Sequence, residues 1–100
     1  MVSKTFTLTN KMGFHMRPAQ VFVTAMAKYA SEITINFGGK DISGKSIMNI
    51  MAACMKCGSE ITVTCNGADE EAMLNEAASL IESGFGEEES MKRGGEIRPL

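Results

Sequence analysis

Along the chain the apolar residues switch repeatedly between the alternation of a strand and the recurrence of a helix, and this switching limits the fold more than any other feature. Phe6 and Leu8 alternate with threonines and predict a first strand, after which Asn10 to Gly13 reads as a loop. From Met16 onward, Ala19, Phe22, Val23, Met26, Ala27 and Ala30 return at helical spacing, while Gln20, Thr24 and Lys28 take the wet side. Pro18 falls in the first turn of that helix, where its missing amide hydrogen would have had no intrahelical partner. Ile33, Ile35 and Phe37 alternate as a strand. Gly38-Gly39 then signals a tight turn, and residues 40–43 return as a short partner strand. Ser46 is placed to cap a helix carrying Ile47, Ile50 and Met51 inward. Ile61, Val63 and Cys65 form a fourth strand, ended by Asn66-Gly67. Asp69 is placed to cap a last helix with Ala72, Met73, Ala77, Leu80, Ile81 and Gly84 facing the core.

The order is therefore strand, helix, strand, strand, helix, strand, helix. Each element has one apolar side that needs a mate, and a four-stranded sheet covered on one face by helices satisfies all of them, an α+β arrangement. With 100 residues there is material for one modest core. A formal charge of -2 gives no bulk electrostatic case for nucleic acid or a membrane surface. No apolar run reaches membrane-spanning length, and the opening MVSKTFTLTN lacks the apolar centre of a secretory signal, so the expected compartment is the cytoplasm. Three cysteines cannot all pair within one chain, which argues against an extracellular disulfide scaffold. Beyond Phe85, GEEESMKRGGEIRPL loses periodicity and gathers charge and glycine. The expected division is a domain over residues 1–85 and a charged, flexible extension over 86–100.

The chemistry concentrates in Gly13-Phe14-His15-Met16-Arg17-Pro18-Ala19, which holds the one histidine of the chain. His15 directly precedes a helix whose first amides point outward, and those amides together with the helix dipole favour an anion. Arg17 adds a planar, permanently charged donor suited to phosphate oxygens. An imidazole with one unprotonated nitrogen is a nucleophile near neutral pH, and a phosphoryl group on it would carry negative charge into the helix mouth. A single histidine with no neighbouring carboxylate or cysteine offers no metal ligand set, and no cofactor-binding motif is present.

GFHMRPA resembles the active-site motif of HPr, the histidine-containing phosphocarrier of the phosphoenolpyruvate-dependent sugar phosphotransferase system. KSIMNIM, the following GSEITV and an acidic-start final helix occur in the order found in that family, so the resemblance covers roughly residues 1 to 85. It implies an HPr-like open-faced β-sandwich with an antiparallel four-stranded sheet. It also implies phosphorylation on Nδ1 of His15, transfer assisted by Arg17, enzyme I as donor and sugar-specific EIIA domains as acceptors. Such a chain is a monomeric carrier with a covalent phosphohistidine intermediate, not an independent enzyme. KSIMNIM is similar to the version in Gram-positive members, where the serine matching Ser46 is phosphorylated by HPr kinase/phosphorylase and that form binds the catabolite-repression regulator. Ile47, Met48 and Met51 are then expected to form a partner-binding patch, with Met48 the most exposed because it sits off the inward stripe. A regulatory paralogue acting through Ser46 alone is the nearest alternative.

Three features depart from the family's pattern. Met12 and Met16 stand where many relatives have other, often small or polar, residues. Cys54-Met55-Lys56-Cys57 has C-x-x-C spacing, which the family does not require, and glycine is common near the Cys54 position. A thiol redox role for Cys54 and Cys57 is a more distant alternative, and Cys65 reads as core. The resemblance assigns no role to residues 86–100.

Overall fold

β1 (Val2–Thr7) pairs antiparallel with the distant β4 (Glu60–Asn66), and β2 (Glu32–Phe37) and β3 (Lys40–Ser43) complete a sheet of order β1-β4-β2-β3. These elements belong to a computed structural model that describes residues 1–10 and 12–86. Three α-helices, α1 (Met16–Met26), α2 (Ile47–Ala53) and α3 (Glu70–Glu82), pack together on one face of the sheet, followed by a single 3-10 turn over Gly84–Gly86. The arrangement is the open-faced β-sandwich that the HPr resemblance implies.

Strand alternation explains why the sheet has one covered face. Phe6, Ile33, Ile35, Ile42, Ile61, Val63 and Cys65 are buried beneath the helices, where they meet Phe22, Met26, Ile50, Met73, Ala77 and Ile81. The opposite face is polar row by row. Ser3, Thr64, Thr34 and Ser43 lie side by side across the four strands, and Thr5, Thr62, Asn36 and Asp41 form the next row. Thr5 and Thr62 hydroxyls pair at 3.0 Å, and Asn36 Nδ2 donates to Asp41 Oδ1 at 2.9 Å, so this face needs no cover.

Local signals placed most boundaries. Pro18 is buried in the first turn of α1, and the Ser46 Oγ accepts from the Asn49 amide at 3.2 Å as the cap of α2. Three expectations need correction. The first helix stops at Met26, so Ala27 is its C-cap and Ala30 lies beyond it, exposed. Ala30 and Ser31 instead donate their amides to Asp69, at 3.0 and 2.9 Å. Asp69 does stand at the N-cap of α3 but makes no side-chain capping bond, because its carboxylate is taken by those amides and by the Ser31 hydroxyl. Ala72, expected inward, is exposed, since the buried stripe of α3 runs through Met73, Ala77 and Ile81. Apart from Gly86, the charged extension lies outside the described residues.

Candidate functional site

His15 occupies the N-cap position of α1 with extended backbone (φ −88°, ψ −169°), and its side chain makes no capping hydrogen bond. Its carbonyl starts the helix by accepting from the Ala19 amide at 3.0 Å. The imidazole is half-buried, neither sealed in the core nor fully projected into solvent. The amides of Met16 and Arg17 belong to the first turn, so an α-helix offers them no acceptor of its own, and Pro18 contributes none. Arg17 is exposed on that same turn. The ring, the guanidinium and the outward amides therefore share one end of one helix, an arrangement suited to holding a dianion on an accessible nitrogen.

The loop that delivers His15 is shaped by residues far away in sequence. Leu8 and Gly58 exchange with their opposite loop through two bonds, Leu8 N to Ser59 O at 2.9 Å and Gly58 N to Leu8 O at 2.8 Å. Phe14 donates its amide to the Met55 carbonyl at 2.8 Å. Gly13, at φ +65°, passes so close to residues 55 and 56 that a Cβ would fall 2.6 Å from the Lys56 Cα. Asn10 is fully buried and ties the loop to itself, donating Nδ2 to the Gly13 carbonyl at 2.6 Å while the Gly13 amide returns to the Asn10 carbonyl at 3.0 Å. Beneath the loop, the Phe14 ring meets Phe22 edge-on at 5.4 Å and Phe85 at 4.9 Å. This aromatic triangle fixes the residue immediately before His15.

Sequence reasoning did not find Asn10 or Phe85. Asn10 looked like an ordinary turn residue, and its only signal was the glycine three positions on. Phe85 looked like the border of the domain, whereas it is buried in the core with a left-handed backbone.

The other candidates gather on α2. Ile47 lines a shallow hollow with Gln20, Val21, Thr24 and Ala25 of α1. The far end of α2 runs through Cys54 to Met55, the acceptor of the Phe14 amide. Thus α2 lies along α1 with its C-terminal end toward His15 and its Ser46 end toward the middle of α1. Met48 is 80% exposed, while Ile47 and Met51 are half-buried. Met16 and Met12, 58% and 65% exposed, add apolar surface beside His15 in the chain, and Val21 adds to the hollow beside Ile47. The sequence reading gave Val21 no role; it lies off the buried stripe of Ala19, Phe22 and Met26 and is exposed.

Of the cysteines, Cys65 is buried and Cys54 and Cys57 are exposed. Burial pushes the Cys65 thiol up to about 11, so it stays protonated and inert. Cys54 ends α2 in a left-handed conformation at φ 55°, which glycine adopts without strain. No helix among the described residues is long and apolar enough to cross a membrane.

Comparison with known proteins matches this geometry. The family model described as the PTS HPr component phosphorylation site matches residues 2–83. The phosphocarrier protein HPr of Borreliella burgdorferi is 40% identical over 83 residues, covering 83% of this chain and 96% of the relative. That of Treponema pallidum is 38% identical over 88 residues, covering 88% and 100% respectively. Among solved structures, HPr-C-His from Thermoanaerobacter tengcongensis superposes with a TM-score of 0.83 at 37% identity, covering 86% of this chain and 97% of that one. A phosphocarrier protein HPr from Bacillus anthracis gives 0.77 at 36% identity, with 80% and 95% covered.

Proposed function

The chain belongs to the HPr family of phosphotransferase-system phosphocarriers, and from that premise we propose that His15 is the phosphorylated residue, charged by enzyme I and discharged to sugar-specific EIIA domains. The observation that carries this reading is the half-buried histidine at the mouth of α1 with the exposed Arg17 on the same turn. The Nδ1 lone pair attacks phosphorus and a nitrogen–phosphorus bond forms. The bond to the donor breaks, and its electron pair leaves with the donor. Outward amides and the Arg17 guanidinium stabilise charge on the three equatorial oxygens during each transfer. Partial exposure suits a carrier, because donor and acceptor must reach the same nitrogen in turn, and because overly tight stabilisation would trap the group. The chain acts in the cytoplasm as a monomer, and Ile47, Met48 and Met51 with the exposed methionines beside His15 form the surface on which partners dock.

Ser46 is the proposed regulatory site. Its oxygen already accepts the Asn49 amide, so a phosphate added by an HPr kinase/phosphorylase would sit at the start of α2 while placing a dianion next to Ile47 and Met48. That charge would disfavour an acidic partner on the shared surface and create an epitope for a catabolite-repression regulator. The presence of His15 and Arg17 weighs against a paralogue that works through Ser46 alone.

The test is incubation with phosphoenolpyruvate and enzyme I, followed by mapping of acid-labile phosphate. Label is expected on His15, absent in His15→Ala, and acquired about 10- to 100-fold more slowly in Arg17→Ala, the scale expected for loss of one donor to a developing oxyanion at an exposed site. A folded protein that takes no label from a competent donor would reject the carrier role. Incubation with ATP and the kinase should label Ser46, and no label there would remove the regulatory role.

A further inference from the structure

The cysteine pair is left over by this mechanism, and its position is informative. Cys54 and Cys57 are both exposed and flank Met55, which is 1% exposed and supplies the carbonyl that holds the Phe14 amide beside His15. Each thiol donates to a carbonyl at 3.8 Å, Cys54 to Met51 in the last turn of α2 and Cys57 to Thr9 in the His15 loop. One sulfur therefore reports to the docking helix and the other to the phosphorylation loop.

We propose that Cys54 and Cys57 form a reversible disulfide that lowers the competence of His15 as a phosphoryl acceptor, an inference that rests on the carrier reading above. A disulfide needs the two Cα atoms within about 4.4–6.8 Å, which two intervening residues can satisfy once the chain turns. In the reduced form Met55 and Lys56 lie outside any turn, so closing the bond must bend the chain at these two residues. The oxidant is a small-molecule disulfide. One cysteine thiolate attacks it, forming a mixed disulfide and releasing one thiolate; the second cysteine then attacks the protein sulfur and releases the other. Two protein thiols and one external disulfide become one protein disulfide and two external thiols, with both protons passing to the released thiolates or to solvent.

Oxidation removes both S–H donors, so the bonds to Met51 and Thr9 are lost together. The ring closed over Met55 also redirects the carbonyl on which Phe14 depends. His15 is one residue from Phe14, and misplacement of a reacting group by about 1 Å is worth about 100-fold in rate. In a reducing cytoplasm such a bond is transient, which suits a sensor and not a structural brace. Cys65, buried and protonated, is outside the exchange.

The experiment treats the full chain with oxidised glutathione, desalts it, and measures intact mass, thiol mapping and phosphoryl uptake from phosphoenolpyruvate and enzyme I. The expected result is a loss of two hydrogens mapped to Cys54–Cys57, uptake slowed about tenfold or more, and recovery with dithiothreitol. Cys57→Ser should take up label at the reduced rate with or without the oxidant. Glutathione adducts on both cysteines without an internal bond would overturn the proposal, as would an internal bond with unchanged uptake. If the reduced protein takes no label at all, the carrier reading fails. Hydrogen exchange at the Phe14 amide then decides the switch: faster exchange in the oxidised form supports it, and equal exchange refutes it.

Discussion

Substitution of Gly13 by alanine tests the joint between the two loops directly. Its positive φ carries a penalty of about 1–2 kcal/mol for any residue with a Cβ. The new methyl would also stand 2.6 Å from the Lys56 Cα and inside contact range of the Met55 carbonyl, atoms of backbone that cannot rotate aside. Forcing such an overlap apart adds about 1–3 kcal/mol. The expected total is about 2–5 kcal/mol, which at about 4–8 °C per kcal/mol for a domain of this size lowers Tm by roughly 8–40 °C. Gly38→Ala supplies the control, because Gly38 has a similar φ of +61° with nothing near its missing Cβ. It should lose only the conformational part, about 1–2 kcal/mol. The chain has no tryptophan, so urea unfolding is followed by far-UV circular dichroism. Phosphoryl uptake on His15 should fall in Gly13→Ala even at temperatures where the variant is fully folded, and stay normal in Gly38→Ala. If the two alanine variants lose equal stability, the close approach of residue 13 to residues 55 and 56 does not exist as described.

Three further outcomes follow from the same geometry. Cys54→Gly, measured in reductant, should raise stability by about 1 kcal/mol, seen as a rise in Tm, because glycine adopts the left-handed C-cap without strain. Met48→Asp should leave Tm nearly unchanged at so exposed a position, yet raise the KM for enzyme I about tenfold, the scale of losing one anchoring contact and adding a charge at an interface. Acid should destabilise the fold through three carboxyls held below their ordinary range: Asp69 by the Ser31 hydroxyl and then the Ala30 amide, Glu70 by the chain's amino terminus, and Glu76 by Lys28 and then Tyr29. A depressed folded-state pKa means that the stabilisation is present above the ordinary carboxylate range and disappears as pH falls through the lowered values. Asp69→Asn should therefore flatten the acid limb of a Tm-against-pH curve, and an unchanged limb would exclude that carboxylate as a contributor.

What the sequence disclosed divides along local and long-range lines. The order of elements, the turn at Gly38-Gly39, the Ser46 cap and the buried Cys65 each depend on spacing within a few residues, and all appear in the structure. The helix-mouth position of His15 and Arg17 was legible for the same reason. Asn10, Phe85 and Asp69 were misjudged or overlooked because their partners are remote or their burial depends on the whole fold: Phe85 closes against Phe14, and Asp69 binds Ala30 and Ser31. Ala72 was placed on a buried face because alanine carries too little hydrophobic information to fix the phase of a helix, and Ala30 because the same small residue does not mark where a helix ends.

The dependence of the His15 loop on residues 54–59 has a consequence for synthesis. Translation delivers the histidine early, but the carbonyl that orients Phe14 and the strand that pairs with β1 follow only once synthesis has passed residue 55. A chain made only as far as residue 50 thus carries His15 without the carbonyl that orients the residue before it.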